Sequence, residues 1–143
     1  MLHRAKSPNK GLWNGVGGKI HEDESPLVAC LREVKEETGF TLESARFAGV
    51  VTWRGFEINE GGLYIFVAPA PDGDPVESSE GRLEWKPRAW VFSSPEVVGN
   101  IHHFAPPVLN GAAPQHYHFE YRNQKLIHWE TNSLPSDFDL HNF

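Results

Sequence analysis

A chain of 143 residues, 39% hydrophobic and 22% charged, is long enough to bury one core and has the composition of a globular protein. Its formal net charge of −6, with eight His counted neutral, excludes a nucleic-acid polymer as the expected partner, because phosphate backbones are bound through basic surface. A single nucleotide is not excluded, since a metal and a few basic side chains neutralise it. Cys30 is the single cysteine, so no intrachain disulfide forms. No apolar run approaches the ~20 residues of a membrane span and Met1-Leu2-His3-Arg4 does not open a signal peptide, so a cytoplasmic location and no membrane partner are expected.

Residues 1–4 read as the end of a strand, followed by a turn over Lys6 to Gly11, which contains Pro8 and Asn9. Leu12 to Ile20 mixes strand formers with four glycines, a density that signals tight turns or close backbone approach. After a polar loop from His21 to Glu24, a helix has strong boundaries: Ser25 at the N-cap, Pro26 at the first helical position, Gly39 at the C-terminal cap. Ala45–Trp53 reads as a strand, Gly61-Gly62 as a turn, and Leu63–Ala68 as an apolar, central strand. A Pro- and Gly-rich loop runs to Gly81. Leu83–Phe92 reads as a strand that Pro87 demotes to an edge or bulge, and Ser94-Pro95 as the start of a short helix. Residues 99–115 read as irregular, then His116–Tyr121 and Leu126–Glu130 as a hairpin around Arg122-Asn123-Gln124-Lys125. Residues 131–143 read as a docked or frayed tail of a single domain spanning 1–143.

Helical geometry singles out one face. At about 100° per residue, Leu27, Cys30, Leu31 and Val34 share an apolar side. Glu33 and Glu37 lie within about 40° of each other, with Glu36 about 60° to the other side of Glu33. The acidic stripe therefore borders the apolar face, where a cleft forms. Three carboxylates at i, i+3 and i+4 reach one cation cluster, and without a cation they raise one another's pKa.

Gly18, five residues, Glu24, seven residues, then Arg32-Glu33-Val34-Lys35-Glu36-Glu37-Thr38-Gly39-Phe40 resembles the Nudix box at each of its defined positions. The resemblance implies an α/β (α+β) Nudix fold, a mixed β-sheet sandwiched between helices with the box as loop–helix–loop. It implies Mg²⁺- or Mn²⁺-dependent hydrolysis of a nucleoside diphosphate linked to another group. Oxygen-rich sites beside an open cleft suit such hard cations. By the same resemblance, Glu36, Glu37 and the Gly17 carbonyl are metal ligands and Glu33 is a ligand or the general base. Arg32 is expected to pair with the box carboxylates, and Glu24 to support the site from its loop.

Outside the box, Pro75–Trp85 resembles the loop of oxidised-purine nucleoside triphosphatases that supplies one more glutamate. Glu77, Glu80 and Glu84 are the candidates, and Glu80 is the choice as base or ligand. Leu12–Lys19 resembles the same MutT-type members. There Asn14 is expected to bind a purine edge, Trp13 to border the base pocket, and Lys19 and Arg4 to meet phosphate oxygens. The expected substrate is a nucleoside triphosphate, with an 8-oxo-dGTP-like oxidised purine as the specific expectation, cleaved to monophosphate and pyrophosphate. Two alternatives stay open: a nucleotide sensor that does not hydrolyse, and a Nudix hydrolase of a non-nucleotide diphosphate. Relatives carry an apolar strand before the segment aligned with Leu2-His3-Arg4. Its absence predicts an exposed sheet edge that a homodimer or the C-terminal tail would cover. His102, His103, His116 and His118 have no metal-diagnostic spacing, and Cys30 reads as a core residue.

Overall fold

In the computed structural model, residues 1–56 and 60–139 are described. The chain runs β1 (Leu2–Arg4), β2 (Trp13–Asn14), α1 (Pro26–Thr38), β3 (Arg46–Arg54), β4 (Glu60–Val67), β5 (Gly81–Leu83), α2 (Arg88–Ser93), α3 (Ile101–Leu109), β6 (Gln115–Arg122) and β7 (Lys125–Ser133). The strands form two sheets, a small antiparallel one in the order β2-β1-β5 and a mixed one in the order β4-β3-β6-β7. Within the mixed sheet β3 and β6 run parallel, while β3–β4 and β6–β7 are antiparallel. The α/β fold with a mixed sheet and few helices is the one the box implied.

The alternation of β3 and β6 decides what is inside. Ala48, Val51, Tyr117 and Phe119 are almost wholly buried on one sheet face, where Val108 and Phe104 of α3 close over them. Ile65 and Val67 pack on this same cluster. Phe66 must then point the other way, where it lines an apolar cleft of about 290 Å³ with Cys30 and Val34 of α1. The helices α1 and α3 thus serve opposite faces of one sheet. A second cluster joins Trp13, Val91, Val97 and Ile101. It is stitched by Trp13 N–H to the Glu96 carbonyl at 2.8 Å and Val98 N–H to the Trp13 carbonyl at 3.0 Å.

Helix α1 keeps its expected limits. Ser25 caps it by accepting from Val28 N–H, and Gly39, at φ 79°, ends it in the left-handed region and donates to the Lys35 carbonyl. Its burial differs from the expectation. Leu27, Cys30, Leu31 and Val34 are half-buried, whereas Ala29, Glu37 and Thr38 are buried. The i,i+4 row Ala29–Glu33–Glu37 therefore turns inward, because Ala29 is small enough to let the helix approach. Cys30 is half-buried and lines the cleft instead of the core.

Several elements depart from expectation. Leu83–Phe92 splits into the end of β5 and the helix α2, with Pro87 as the N-cap of α2. Ser94 ends α2 and starts no new helix. Residues 101–109 form α3 despite Pro106 and Pro107, which lie near its end. β4 begins at Glu60 and lies at the sheet edge, so Gly61-Gly62 is strand, not turn, and β3 and β6 are the central strands. The 122–125 hairpin is present, with Asn123 and Gln124 at φ 50° and 62°, the left-handed pair a tight hairpin turn needs. β7 extends to Ser133, so 131–133 belong to the sheet, and residues 140–143 of the expected tail lie outside the described residues.

Candidate active site

The box loop and α1 meet through one guanidinium. Arg32 Nε donates to Glu24 Oε2 at 3.0 Å and Nη2 to Glu24 Oε1 at 2.5 Å. Its Nη1 donates to Glu33 Oε1 at 2.8 Å and to Glu36 Oε2 at 3.1 Å, and Nη2 also reaches the Lys19 carbonyl at 3.0 Å. This bidentate contact to Glu24, joined by the His21 N–H on Glu24 Oε1, holds the Glu24 carboxyl at a pKa of about 2. The same carboxylates push the Arg32 pKa upward. Arg32 and Glu24 therefore fix the loop against the helix.

Glu37 has a different setting. It is 5% exposed, and its Oε2 accepts from Gly17 N–H at 3.0 Å. Burial pushes its pKa up; the Gly17 hydrogen bond opposes this, and the charges of Glu33 and Glu80 add to the rise. Of the three loop glutamates, Glu80 is the one whose charge Glu37 feels, and Lys6 lies 3.7 Å from it. Glu84 instead pairs with Lys86 at 2.6 Å and Arg82 at 3.1 Å. Gly18 lies flat against Glu33: a Cβ there would stand 2.3 Å from the Glu33 carboxyl carbon. Only glycine lets the loop backbone come that close.

The phosphate candidates are less engaged. Arg4 turns its Nε to the Pro8 carbonyl at 2.6 Å, although its charge still lowers the Glu37 pKa. Lys19 contributes its carbonyl to Arg32 and is exposed.

A cavity of about 760 Å³ opens beyond Asn14. Trp53, Phe56, Phe104 and Tyr121 supply aromatic wall, and His102 and His103 line it as well. Asn14 Oδ1 accepts from Gly15 N–H at 2.8 Å. Asn14 and Gly17 are three residues apart, so the loop that touches Glu37 also edges the cavity. Trp13 is a correction: it is 2% exposed and outside the cavity wall. It packs edge-on to Trp90 with centroids 6.1 Å apart, and the Lys86 ammonium lies 4.4 Å from its ring. Trp13 and Asn14 alternate across strand β2, so only one of them faces the cavity. Sequence reasoning missed the aromatic wall and the two histidines, because α3 is hidden by its prolines and Trp53 lies opposite residues far along the chain.

Among the described residues, no three acidic, His or Cys side chains stand converged as a metal cage; Arg32 and Lys6 are the cations on Glu33, Glu36 and Glu80. The donor set nonetheless fits a hard divalent ion. It is oxygen only, it includes a carboxylate whose pKa is pushed up by burial and by the charges of Glu33 and Glu80, and Gly18 leaves the Glu33 approach open. His116 and His118 share one strand face, as the alternation required. They bracket the Thr52 hydroxyl, with His116 Nε2 and His118 Nδ1 each 2.7 Å from it.

Known proteins resemble this chain in sequence and in fold. The crystal structure of the mutator MutT protein from Bacillus halodurans superposes with a TM-score of 0.76 at 29% identity, over 94% of this chain and 89% of that one. The uncharacterized Nudix hydrolase YvcI of Bacillus subtilis (strain 168) is 31% identical over 102 residues, 68% of this chain and 65% of its own. The oxidized purine nucleoside triphosphate hydrolase of Danio rerio is 36% identical over 76 residues, 52% of this chain and 49% of its own. The matched stretch thus spans about half to two thirds of those two relatives' length. With the NUDIX domain matching across residues 1–110, the chain belongs to the Nudix family.

Proposed function

We propose that this chain is a divalent-metal-dependent Nudix pyrophosphohydrolase that converts a nucleoside triphosphate, with oxidised purines as the preferred class, to its monophosphate and pyrophosphate. The observation that carries this reading is the shared loop: Gly17 bonds buried Glu37 while Asn14, three residues earlier, edges an aromatic-walled cavity. A phosphoanhydride held at the carboxylates would place its base in that cavity. The Danio rerio relative, an oxidized purine nucleoside triphosphate hydrolase by name, supports the same class.

Glu36, Glu37, Glu80 and the Gly17 carbonyl would hold Mg²⁺ or Mn²⁺. A bound divalent ion supplies charge neutralisation on phosphate oxygens and a more acidic water. Glu33 is our choice of base. Arg32 fixes one of its oxygens, and the other has no partner among the described residues, so it is oriented and available. The attacking water gives its proton to Glu33 as its oxygen bonds to phosphorus. The α,β anhydride P–O bond breaks, and the leaving group keeps the bonding pair: pyrophosphate for attack at the α phosphorus, nucleoside monophosphate for attack at the β phosphorus. Arg32 holds the base in place and Glu24 holds Arg32. Asn14 orients the base edge, and Lys19 and Arg4 offer positive charge to the phosphates.

The test is Glu36→Gln, assayed by pyrophosphate release with Mg²⁺. Its side chain is largely exposed at 57%, so the variant is expected to fold and to lose most turnover, about 100-fold or more. Wild-type-like turnover in this variant sinks the assignment. Tight nucleotide binding without turnover by the wild-type protein points instead to a sensor.

A further inference from the structure

The polar side chains of the Asn14 cavity are amides, imidazoles, the Ser7 and Tyr121 hydroxyls and one lysine, with no carboxylate among the lining residues. Neutral donors and acceptors must therefore do the reading, and the hydrogen bonds within the wall decide which ends remain. Asn14 Oδ1 is taken up by Gly15 N–H at 2.8 Å, leaving its amide nitrogen to donate. His102 Nε2 lies 2.8 Å from the Ser94 carbonyl oxygen. A carbonyl only accepts, so Nε2 carries the ring's hydrogen and Nδ1 of the neutral ring is a lone pair. No partner for Nδ1 stands among the described residues. The tether is firm, since Ser94 is 7% exposed and its own N–H is fixed on the Trp90 carbonyl at 2.9 Å. Its neighbour His103 is held by rings: Trp129 at 4.6 Å and Phe119 at 5.9 Å between centroids.

We propose that His102 is a specificity-determining residue of this cavity: held by Ser94, it presents Nδ1 as an acceptor that selects a purine with an exocyclic amine, guanine-type over hypoxanthine. The proposal rests on the nucleotide reading above and deepens it. Guanine offers the amine to His102 and a carbonyl oxygen to the Asn14 amide, and oxidation of its imidazole ring leaves both groups in place. Hypoxanthine keeps the carbonyl but lacks the amine. A site built to hydrogen-bond a group rejects the analogue without it, because a polar atom of the wall is then left unpaired.

Binding of dGMP and dIMP without metal, measured by titration calorimetry on wild type, His102→Phe and His102→Gln, tests this apart from turnover. Wild type is expected to bind dGMP about tenfold more tightly than dIMP. The Phe variant should bind the two alike by weakening dGMP alone, and the Gln variant, which keeps an acceptor, should restore part of the preference. Equal binding in wild type, or a preference that survives in His102→Phe, overturns the proposal. If His102→Phe does not fold, His102→Ala takes its place: loss of the preference supports the proposal, and a preference that survives overturns it. Wild-type turnover of dGTP and dITP separates the two levels. Equal hydrolysis of both keeps the nucleotide reading and removes the role of His102, whereas hydrolysis of neither, nor of any other nucleoside triphosphate, removes the reading itself.

Discussion

Glu24 shows how one carboxylate is put to structural use. Its pKa falls from an ordinary 4.5 to about 2 because Arg32 donates to both its oxygens and His21 N–H adds a third bond. A depressed folded-state pKa stabilises the fold above the unfolded value, and that stability is lost as pH falls through the folded value. Glu24→Gln is therefore expected to lower the urea midpoint at neutral pH, and the gap to wild type should close between about pH 4.5 and 2. Gly18 is constrained by space rather than charge. A methyl group there meets the Glu33 carboxyl at 2.3 Å, so Gly18→Ala should displace the proposed base and cut kcat/KM by about 100-fold, with a far smaller effect on melting. Burial and the charges of Glu33 and Glu80 disfavour the Glu37 carboxylate. Glu37→Gln should raise the melting temperature measured in a chelator and abolish the rise that Mg²⁺ gives wild type.

Helix α1 is legible in the sequence, because its signals are local. Ser25, Pro26 and Gly39 each act within a few residues, and the cap bond from Val28 N–H to Ser25 and the left-handed Gly39 are in place. Ser25→Ala should cost about 1 kcal/mol, read as a drop in thermal midpoint. The box spacing was legible for the same reason, since Glu33, Glu36 and Glu37 are ordered by one helix. Helix α3 was not legible. Pro106 and Pro107 argue against a helix by composition, yet both lie in its second half. Each forgoes one bond to the carbonyl four residues back, and Val108, buried against Phe119 and Val51, offsets that loss. Trp90 and Val91 read as strand by propensity, but burial with Trp13 draws them into α2. The cavity wall stayed hidden because Trp53, His102 and Tyr121 are brought together by packing, which no local pattern announces. Trp13 was assigned to the cavity and Asn14 was too; alternation on β2 permits one.

At the scale of the molecule, the mixed sheet supports the site from elements far apart in sequence. Phe119 is fully buried between α3 and β3, so Phe119→Ala should cost about 3–5 kcal/mol. That is a large share of the roughly 5–15 kcal/mol that stabilises an ordinary domain, and calorimetry should show a much lower transition or none. No helix among the described residues is long and apolar enough to cross a membrane. The parallel pairing of β3 with β6 sets Val51 beside Tyr117 and Thr52 beside His118, a separation of 66 residues in the second case. Closing such a loop carries an entropic cost before any contact rewards it. Emergence from the ribosome therefore delivers the acidic helix long before the strand that completes its platform. A nascent chain ending before Gln115 has every box carboxylate but lacks β6 and the parallel pairing. It should remain open to protease, and acquire resistance only once the last hairpin has been synthesised.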